Sequence, residues 1–183
     1  MSIQEPAALD RRVGVLASAL TSFARFGYRK TSMDEIARVA HISRPGLYFL
    51  FDSKEDLFRA AVAQALEEDV VEVELIMAQT ERPLRDRLLQ SFDRWAGRYI
   101  GPMAHDITAV IDDNPALLGD LTTSYPRRFA KCIAGAIADA DVLSDADALT
   151  QTLISVSIGI KHQVTEREEY RERLAAAVDL LLR

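Results

Sequence analysis

The side chains best suited to bind a ligand lie close together between Thr31 and Lys54. Arg44 can donate two hydrogen bonds to the edge of a guanine, the commonest specific contact to a DNA base. Tyr48 and Phe49 can contact a phosphate or a thymine methyl group. Hydroxyl and ammonium groups at helix starts suit phosphates. The predicted DNA-binding residues are Thr31, Ser32, Ser43, Arg44, Pro45, Gly46, Tyr48, Phe49 and Lys54.

Other chemistry has little support in the residue pattern. The three histidines and the single cysteine follow no spacing known for a metal site, so His105 and Asp106 are interpreted as structural. Cys132 lies on an apolar helix face and is interpreted as a core residue rather than a redox sensor. The motifs H-E-x-x-H, G-x-x-x-x-G-K-[ST] and G-x-G-x-x-G are absent. We therefore expect no enzyme, no metal and no cofactor.

Two short helices and the start of a third must position the predicted DNA-binding residues. Ser32, with Glu35 three residues later, has the pattern of a capping box. Ser43 is suited to cap the next helix. Leu47 and Phe51 lie four residues apart, so they share one face and can pack on the preceding helix. This pattern predicts a helix-turn-helix, with Arg44, Pro45, Gly46, Tyr48 and Phe49 on its outer face.

This region resembles the DNA-binding motif of the TetR family of transcriptional regulators. At the turn, His41 stands where the family usually has Gly, and Leu50 stands where it often has His. The resemblance covers about a third of the chain. It implies an all-α regulator with a C-terminal small-molecule site. The residues that carry it are Phe23-Ala24-Arg25-Phe26-Gly27-Tyr28, Thr31-Ser32, Ile36-Ala37, Ala40, Ile42-Ser43, Leu47-Tyr48, Phe51 and Ser53-Lys54-Glu55-Asp56-Leu57.

Composition favours a globular protein of the cytoplasm. The chain has 183 residues, about half of them apolar, and no apolar run that approaches the ~18 residues of a membrane span. The N-terminus lacks the apolar region of a secretory signal, and one cysteine fits a reducing compartment. The net charge is −6, but residues 1–54 carry eight Lys or Arg against five Asp or Glu, a local +3. DNA binding needs only such a locally basic region.

Apolar spacing predicts about nine helices and no strand. The first has an apolar stripe over Leu9, Val13, Leu16, Leu20 and Phe23, with Asp10 at its start and Gly27 at its end. The fourth begins at Lys54 and runs to about Ala78. The family resemblance implies that it acts as a lever, and the alternative is a plain connector.

Five more helices follow along the chain. One begins at Pro83 and ends at Gly101-Pro102, and a short one contains Ile107, Val110 and Ile111. Asn114-Pro115 starts the next, which continues to about Asp139 with a kink or break at Pro126. Ser144 with Asp147 opens the eighth, and Thr165 with Glu168 forms a second predicted capping box that opens the last.

A group of aromatic and polarisable residues marks the middle of the chain. In the TetR family this region usually encloses a small-molecule site, although aromatic residues at helical spacing also form ordinary cores. The predicted ligand-binding residues are Trp95, Tyr99, Met103, His105, Ile111, Tyr125, Phe129 and Cys132.

The helix predicted at residues 145–164 is apolar over most of its circumference, so it needs two partners. One domain supplies one partner, and a two-fold homodimer would supply the other. The predicted interface residues are Leu153, Ser155, Ile158, Gly159, His162, Leu174, Val178 and Leu181.

The sequence thus predicts an all-α chain with a helix-turn-helix DNA-binding domain at 1–53 and a ligand-binding and dimerisation domain at 54–183. By resemblance, it is a repressor that binds a palindromic operator as a homodimer and is released by a small, mostly apolar effector. The alternative is a helical ligand-binding or catalytic protein whose helix-turn-helix no longer binds DNA.

Overall fold

The computed structural model describes residues 4–101, 110–111, 113–140 and 145–182. This part of the chain contains nine α-helices, one 3-10 turn at Gly97–Tyr99 and no β-strand, which confirms the all-α prediction. The helices are α1 Gln4–Phe26, α2 Met33–Val39, α3 Arg44–Leu50, α4 Lys54–Met77, α5 Leu84–Trp95, α6 Pro115–Leu118, α7 Leu121–Asp139, α8 Ala146–Lys161 and α9 Arg167–Leu181. The predicted helix at Ile107 lies outside the described residues.

The chain divides into two compact units, one formed by residues 1–66 and 105–119 and the other by residues 67–104 and 120–183. Helix α4 contributes its first part to the first unit and its last part to the second. The domain boundary predicted after residue 53 would instead assign all of α4 to the second domain.

An aromatic cluster forms the centre of the first unit. Phe23 on α1 and Phe58 on α4 meet edge to face with ring centroids 5.0 Å apart. Tyr28 lies 5.0 Å from Phe58 and stacks on Phe23 at 5.7 Å. Gly27, at φ +79°, ends α1 in the left-handed conformation, and Tyr28 then turns back onto Phe23 in the last turns of the helix.

The predicted apolar stripe of α1 is rotated in the structure. Val13 is exposed, whereas Val15, Leu16, Ala19 and Phe23 are buried. The helix also begins at Gln4 rather than at Asp10. The rotation of the stripe places Ala19 at the centre of the buried face. This small side chain is fully buried, because a neighbouring helix can approach it closely.

The second unit has a separate core, shared by the last part of α4 and by α5, α7, α8 and α9. Its fully or nearly fully buried side chains include Val73, Leu88, Ile133, Leu153 and Tyr170. The Tyr170 hydroxyl donates to the carbonyl of Phe92 at 3.3 Å and lies 2.8 Å from the Ser157 hydroxyl, so the only polar atom of this side chain is satisfied.

Three predicted boundaries are wrong. Helix α5 ends at Trp95 rather than near Gly101, and Gly97 then packs against Tyr170. The break between α6 and α7 falls at Gly119, which has φ +55°, and not at Pro126, which lies inside α7. Helix α9 begins at Arg167 with no side-chain cap, so the predicted capping box of Thr165 is absent. Ser144 lies outside the described residues, and Asp145 caps α8.

Candidate nucleic-acid interface

Side-chain caps fix both helices of the helix-turn-helix. The Ser32 hydroxyl accepts from the Glu35 N–H at 3.2 Å, and the Ser43 hydroxyl accepts from the Gly46 N–H at 3.1 Å. Ser53 accepts from the Asp56 N–H at 3.0 Å at the start of α4. These caps, predicted from the sequence, are confirmed. Because each of them satisfies a terminal N–H that the helix leaves open, they define where α2, α3 and α4 begin.

The turn between α2 and α3 contains a left-handed residue. His41 has φ +53° and is the one non-glycine residue with positive φ among those the structure describes. A Cβ atom makes this conformation costly, so glycine would be the usual choice. The turn then places Ile42 inward, where it is buried.

The outer face of α3 carries four of the predicted DNA-binding residues. Phe49 is 89% exposed and Tyr48 is 42% exposed. The Arg44 side chain is 62% exposed, and Pro45 is also exposed. The predicted outward orientation of these four side chains is confirmed. Their contact with DNA remains a prediction.

An ion pair holds Arg44 in place without burying it. The Arg44 Nε lies 3.1 Å from Oδ1 of Asp34 on α2, and the guanidinium lies 5.7 Å from the Tyr48 ring centroid. Both partners of the ion pair are exposed, so the pair adds little stability. Its effect is to orient a cation at the exposed N-terminal end of α3, where recognition helices meet base edges.

The predicted outward orientation of Gly46 is wrong, whereas its contact with DNA remains a prediction. The sequence assigned it to the outer face, as a position of close approach to DNA. In the structure it is half-buried, and a Cβ there would lie 3.0 Å from Ile42 Cγ1 and 3.0 Å from Ser43 Oγ. A larger residue here would require the side chains of Ile42 and Ser43 to shift by a few tenths of an ångström.

Thr31 and Lys54 bind the backbone within the first unit. Thr31 is 1% exposed, and its hydroxyl lies 2.9 Å from the Gly27 carbonyl and 3.2 Å from that of Ser22. Lys54 Nζ donates to the carbonyls of Tyr28 at 3.0 Å and Thr31 at 3.3 Å. Both residues therefore hold the segment between α1 and α2 in place. Phosphate contacts from them remain predictions.

Sequence reasoning missed Arg38, in the last turn of α2. It is exposed and lies four residues after Asp34, so both residues lie on the same face of α2. The four-residue spacing between Asp34 and Arg38 could have indicated from the sequence that Arg38 lies on this face. Arg38 therefore adds a second exposed cation to the helix-turn-helix.

The predicted ligand-binding residues that the structure describes fall into several separate groups, and their contact with a ligand remains a prediction. Trp95 stacks on Phe129 with centroids 4.8 Å apart, and Phe129 meets Phe92 edge to face at 5.2 Å. Tyr99 and Tyr125 contact carboxylates, and Cys132 lines a separate cleft. Ile111 belongs to the first unit, and Met103 and His105 lie outside the described residues.

A buried carboxylate ties α4 to the segment after α5. Asp69 is fully buried, and its oxygens accept from Arg94 at 2.8 Å, from Arg98 and from the Tyr99 hydroxyl. Burial raises the pKa of Asp69, while Tyr99 and the two guanidinium groups act in the opposite direction. Burial and the adjacent Asp69 raise the pKa of the Tyr99 phenol, so this hydroxyl stays a donor.

Replacing Asp69 with alanine is expected to destabilise the protein by about 3 kcal/mol or more, because it leaves Arg94 and Arg98 without their shared anion. Urea unfolding followed by circular dichroism measures this loss. Asp86→Ala is the matched control, since Asp86 pairs with Arg85 at the surface and the midpoint should not move. Equal midpoints for the two variants would show that the Asp69 cluster is not stabilising.

The predicted dimer interface divides into exposed and buried residues. On α8, Ser155, Ile158 and His162 are exposed, and Gly159 is half-buried. Three predicted interface residues belong instead to the core of the chain itself, because they are at most 1% exposed: Leu153, Leu174 and Val178. Leu181 is half-buried, and the exposed apolar residue on α9 is Leu180.

Neither a metal site nor a membrane segment is found in the part of the chain that the structure describes. No three His, Cys, Asp or Glu side chains there are grouped as a metal ion requires. None of the described helices is both long enough and apolar enough to cross a membrane.

The fold and this surface define a helix-turn-helix protein with a second helical unit. Residues 15–61 match the family model described as bacterial regulatory proteins, tetR family. The similarity to the TetR family thus lies in the segment that contains the helix-turn-helix.

Two relatives share this part of the chain. The chain is 37% identical over 60 residues to the HTH-type transcriptional regulator YhgD of Bacillus subtilis, which is 33% of this chain and 31% of that protein. It is 33% identical over 48 residues to IcaR of Staphylococcus epidermidis, named as a negative transcriptional regulator of a biofilm operon, which is 26% of each chain. The chain therefore spans about a third or less of the length of these relatives.

Solved structures match over nearly the whole chain at low identity, which concerns the fold alone. A TetR-family regulator structure from Mesorhizobium loti has a TM-score of 0.79 at 18% identity, covering 95% of this chain and 96% of that one. A regulator from Saccharomonospora viridis in complex with choline has a TM-score of 0.72 at 21% identity, covering 93% and 96%.

Proposed function

We propose that this chain is a transcriptional regulator that inserts α3 into the major groove of DNA. The observation that carries the proposal is the outer face of α3, where Arg44, Tyr48 and Phe49 are exposed on a capped, well-packed helix-turn-helix. Phe49 is 89% exposed and therefore contributes nothing to the core. We infer that it contacts a binding partner. We expect this function in the cytoplasm, where Cys132 stays a thiol.

The regulator acts as a homodimer on a palindromic operator. Support comes from the strip of Ser155, Ile158 and Gly159 on α8, whose small residues permit close helix approach, and from the exposed Leu180 on α9. A two-fold axis beside these helices would present two α3 helices to half-sites about 34–36 Å apart, or a multiple of this distance.

Operator binding represses transcription, and a small, mostly apolar effector releases the protein. The name of IcaR supports negative regulation, and the choline complex supports a small-molecule site in this fold. Helix α4 is continuous from Lys54 to Met77, so it can act as the lever between the two functions. To reverse a 1:99 equilibrium, the effector must favour one state by about 5.5 kcal/mol.

A gel shift of the full chain on the DNA upstream of its own gene tests the proposal. We expect a sequence-specific complex whose affinity falls steeply with salt, because phosphate contacts release counterions. A scrambled fragment of equal length is the control. Equal affinity for both fragments would favour the non-regulatory alternative.

The fluorescence of Trp95, the only tryptophan of the chain, provides a probe for effectors. Its ring stacks on Phe129, so a rearrangement of this core should change its emission. Hydrophobic and aromatic molecules that change the emission are then tested for operator release. Molecules that change the emission but leave DNA affinity unchanged would argue against the proposed coupling.

A further inference from the structure

The second unit contains a cleft of about 980 Å³. Packing of the hydrophobic core does not explain the charged side chains that line this cleft. Its walls come from the last turn of α4, the start of α5 and the middle of α7. We propose that this cleft binds a small organic anion, with a carboxylate at Arg87 and an apolar body along α7. Only the effect of this site on DNA binding rests on the proposed function. Binding of the anion can be measured without DNA.

Arg87 is the residue that points to an anion. Its side chain is 6% exposed and lines the cleft. Nη1 donates to the Met77 carbonyl at 2.8 Å, and Nε has no hydrogen-bond partner. No carboxylate of the described residues is within ion-pair distance of this guanidinium. Arginine cannot lose its proton in a protein, so the positive charge remains.

A structural role accounts for only part of this arrangement. The Met77 carbonyl lies at the C-terminus of α4, so Arg87 caps this helix and interacts with its dipole. One carbonyl, however, provides one acceptor for five N–H donors and no full negative charge. A buried cation without an anion is costly. A carboxylate in the cleft would supply the missing negative charge through the part of the guanidinium that faces the cleft.

The other charged groups of the cleft also favour an anion. Arg128 is fully paired, because it binds Glu74 through two contacts of 2.7 Å and Glu67 at 2.8 Å, and these three side chains together carry one negative charge. Lys131 has no carboxylate partner among the described residues, and Arg82 donates to the neutral Gln90 side chain at 3.1 Å. The exposed Asp139 is the one carboxylate of the lining that no described cation neutralises. The unpaired positive charges therefore outnumber the negative ones.

The remaining lining fits an apolar body. Met77, Pro83, Leu84 and Ala136 supply aliphatic surface beside Arg87. A volume of this size accommodates a drug-sized molecule, and a few polar groups in an apolar wall are typical of ligand sites. Inorganic phosphate would satisfy Arg87 but would leave this surface exposed, so an amphipathic carboxylate is the better match.

Cys132 also lines the cleft and is the only thiol of the chain, so its alkylation by a neutral maleimide reports on occupancy. Burial, with Glu74 adding to the effect, raises the pKa of this thiol, so the reaction should be slow and easily followed. The test measures the alkylation rate of the full chain with 4-phenylbutanoate, with the neutral 4-phenylbutanamide and with inorganic phosphate.

We expect saturating 4-phenylbutanoate to slow the alkylation at least fivefold, and the amide and phosphate to have less than a twofold effect. Arg87→Met should abolish the protection, whereas Arg85→Met, on the same helix but paired with Asp179 outside the cleft, should keep it. If Arg87→Met does not fold, Lys131→Met should still raise the concentration needed for half protection severalfold. Equal protection by acid and amide, no protection of the wild-type chain, or full protection of a folded Arg87→Met variant would overturn the proposal.

Operator affinity separates this proposal from the proposed function. If 4-phenylbutanoate protects Cys132 and weakens operator binding, the cleft is the effector site. If it protects Cys132 without weakening operator binding, the anion site stands and its role as effector is refuted. If the untreated chain does not bind the operator, the proposed function fails, while the protection result still decides the anion site.

Discussion

Replacing Ile158 with arginine is expected to convert the proposed dimer into a folded monomer that no longer binds its operator. Ile158 is 53% exposed in the single chain, so a longer polar side chain is tolerated there. At a two-fold interface the same change places two like charges near the axis and buries them without partners, which is strongly unfavourable. Operator affinity falls because one α3 alone contacts only half of the site.

Analytical ultracentrifugation and a gel shift measure the two effects, and circular dichroism confirms the fold. Leu75→Arg is the matched control, since Leu75 is 57% exposed on α4, outside the α8 strip. Leu174→Arg should instead unfold the chain, because Leu174 is 1% exposed within its own core. An Ile158→Arg protein that sediments as a dimer, or a wild-type chain that is monomeric when dilute, would contradict the proposed interface.

Replacing Arg44 with alanine is expected to weaken binding to the specific operator by about 1–3 kcal/mol and to change binding to random DNA very little. The reason is that a bidentate contact to a guanine is made only at the correct base pair. Arg171→Ala is the matched control, because Arg171 is a similarly exposed arginine that pairs with a carboxylate in the second unit. Fluorescence anisotropy with both DNAs over a range of salt concentrations provides the measurement.

Lys54→Ala provides the contrasting result. If Lys54 contacts a phosphate, the variant should weaken both complexes equally and reduce the salt slope by about one. The structure adds a second expectation, because Lys54 also donates to the carbonyls of Tyr28 and Thr31, so the variant should melt earlier. If Arg44→Ala and Lys54→Ala weaken both DNAs to the same extent, Arg44 contacts only phosphate.

The helix-turn-helix was predictable because local chemistry determines it. Ser32, Ser43 and Ser53 mark helix starts by hydrogen bonds to residues only three positions away, and each of these bonds is present. His41, which stands where the family usually has Gly, has the left-handed conformation that glycine adopts most easily. What the local sequence could not reveal was that Gly46 faces inward, because this depends on where Ile42 packs.

The second unit was predicted less accurately because its boundaries depend on contacts between distant residues. Pro126 looked like a helix breaker, yet it lies near the start of α7 on an exposed face, where water can satisfy a freed carbonyl. Leu174 and Val178 were predicted at an interface, but the chain's own helices bury them. Arg87 gave no local signal, since only the fold brings it to the Met77 carbonyl.

Helices α2 and α3 are too short for the proposed DNA-binding surface to fold outside the first unit. Each helix has seven residues, well below the 12–15 or so at which an isolated helix begins to be stable in water. Their order therefore depends on the cluster of Phe23, Tyr28 and Phe58. A synthetic peptide of residues 31–54 should be a random coil and a poor competitor for the operator. To transfer the DNA sequence specificity to another protein, the outward side chains of α3 should be exchanged on an intact first unit. The isolated helix-turn-helix segment should not be used for this purpose.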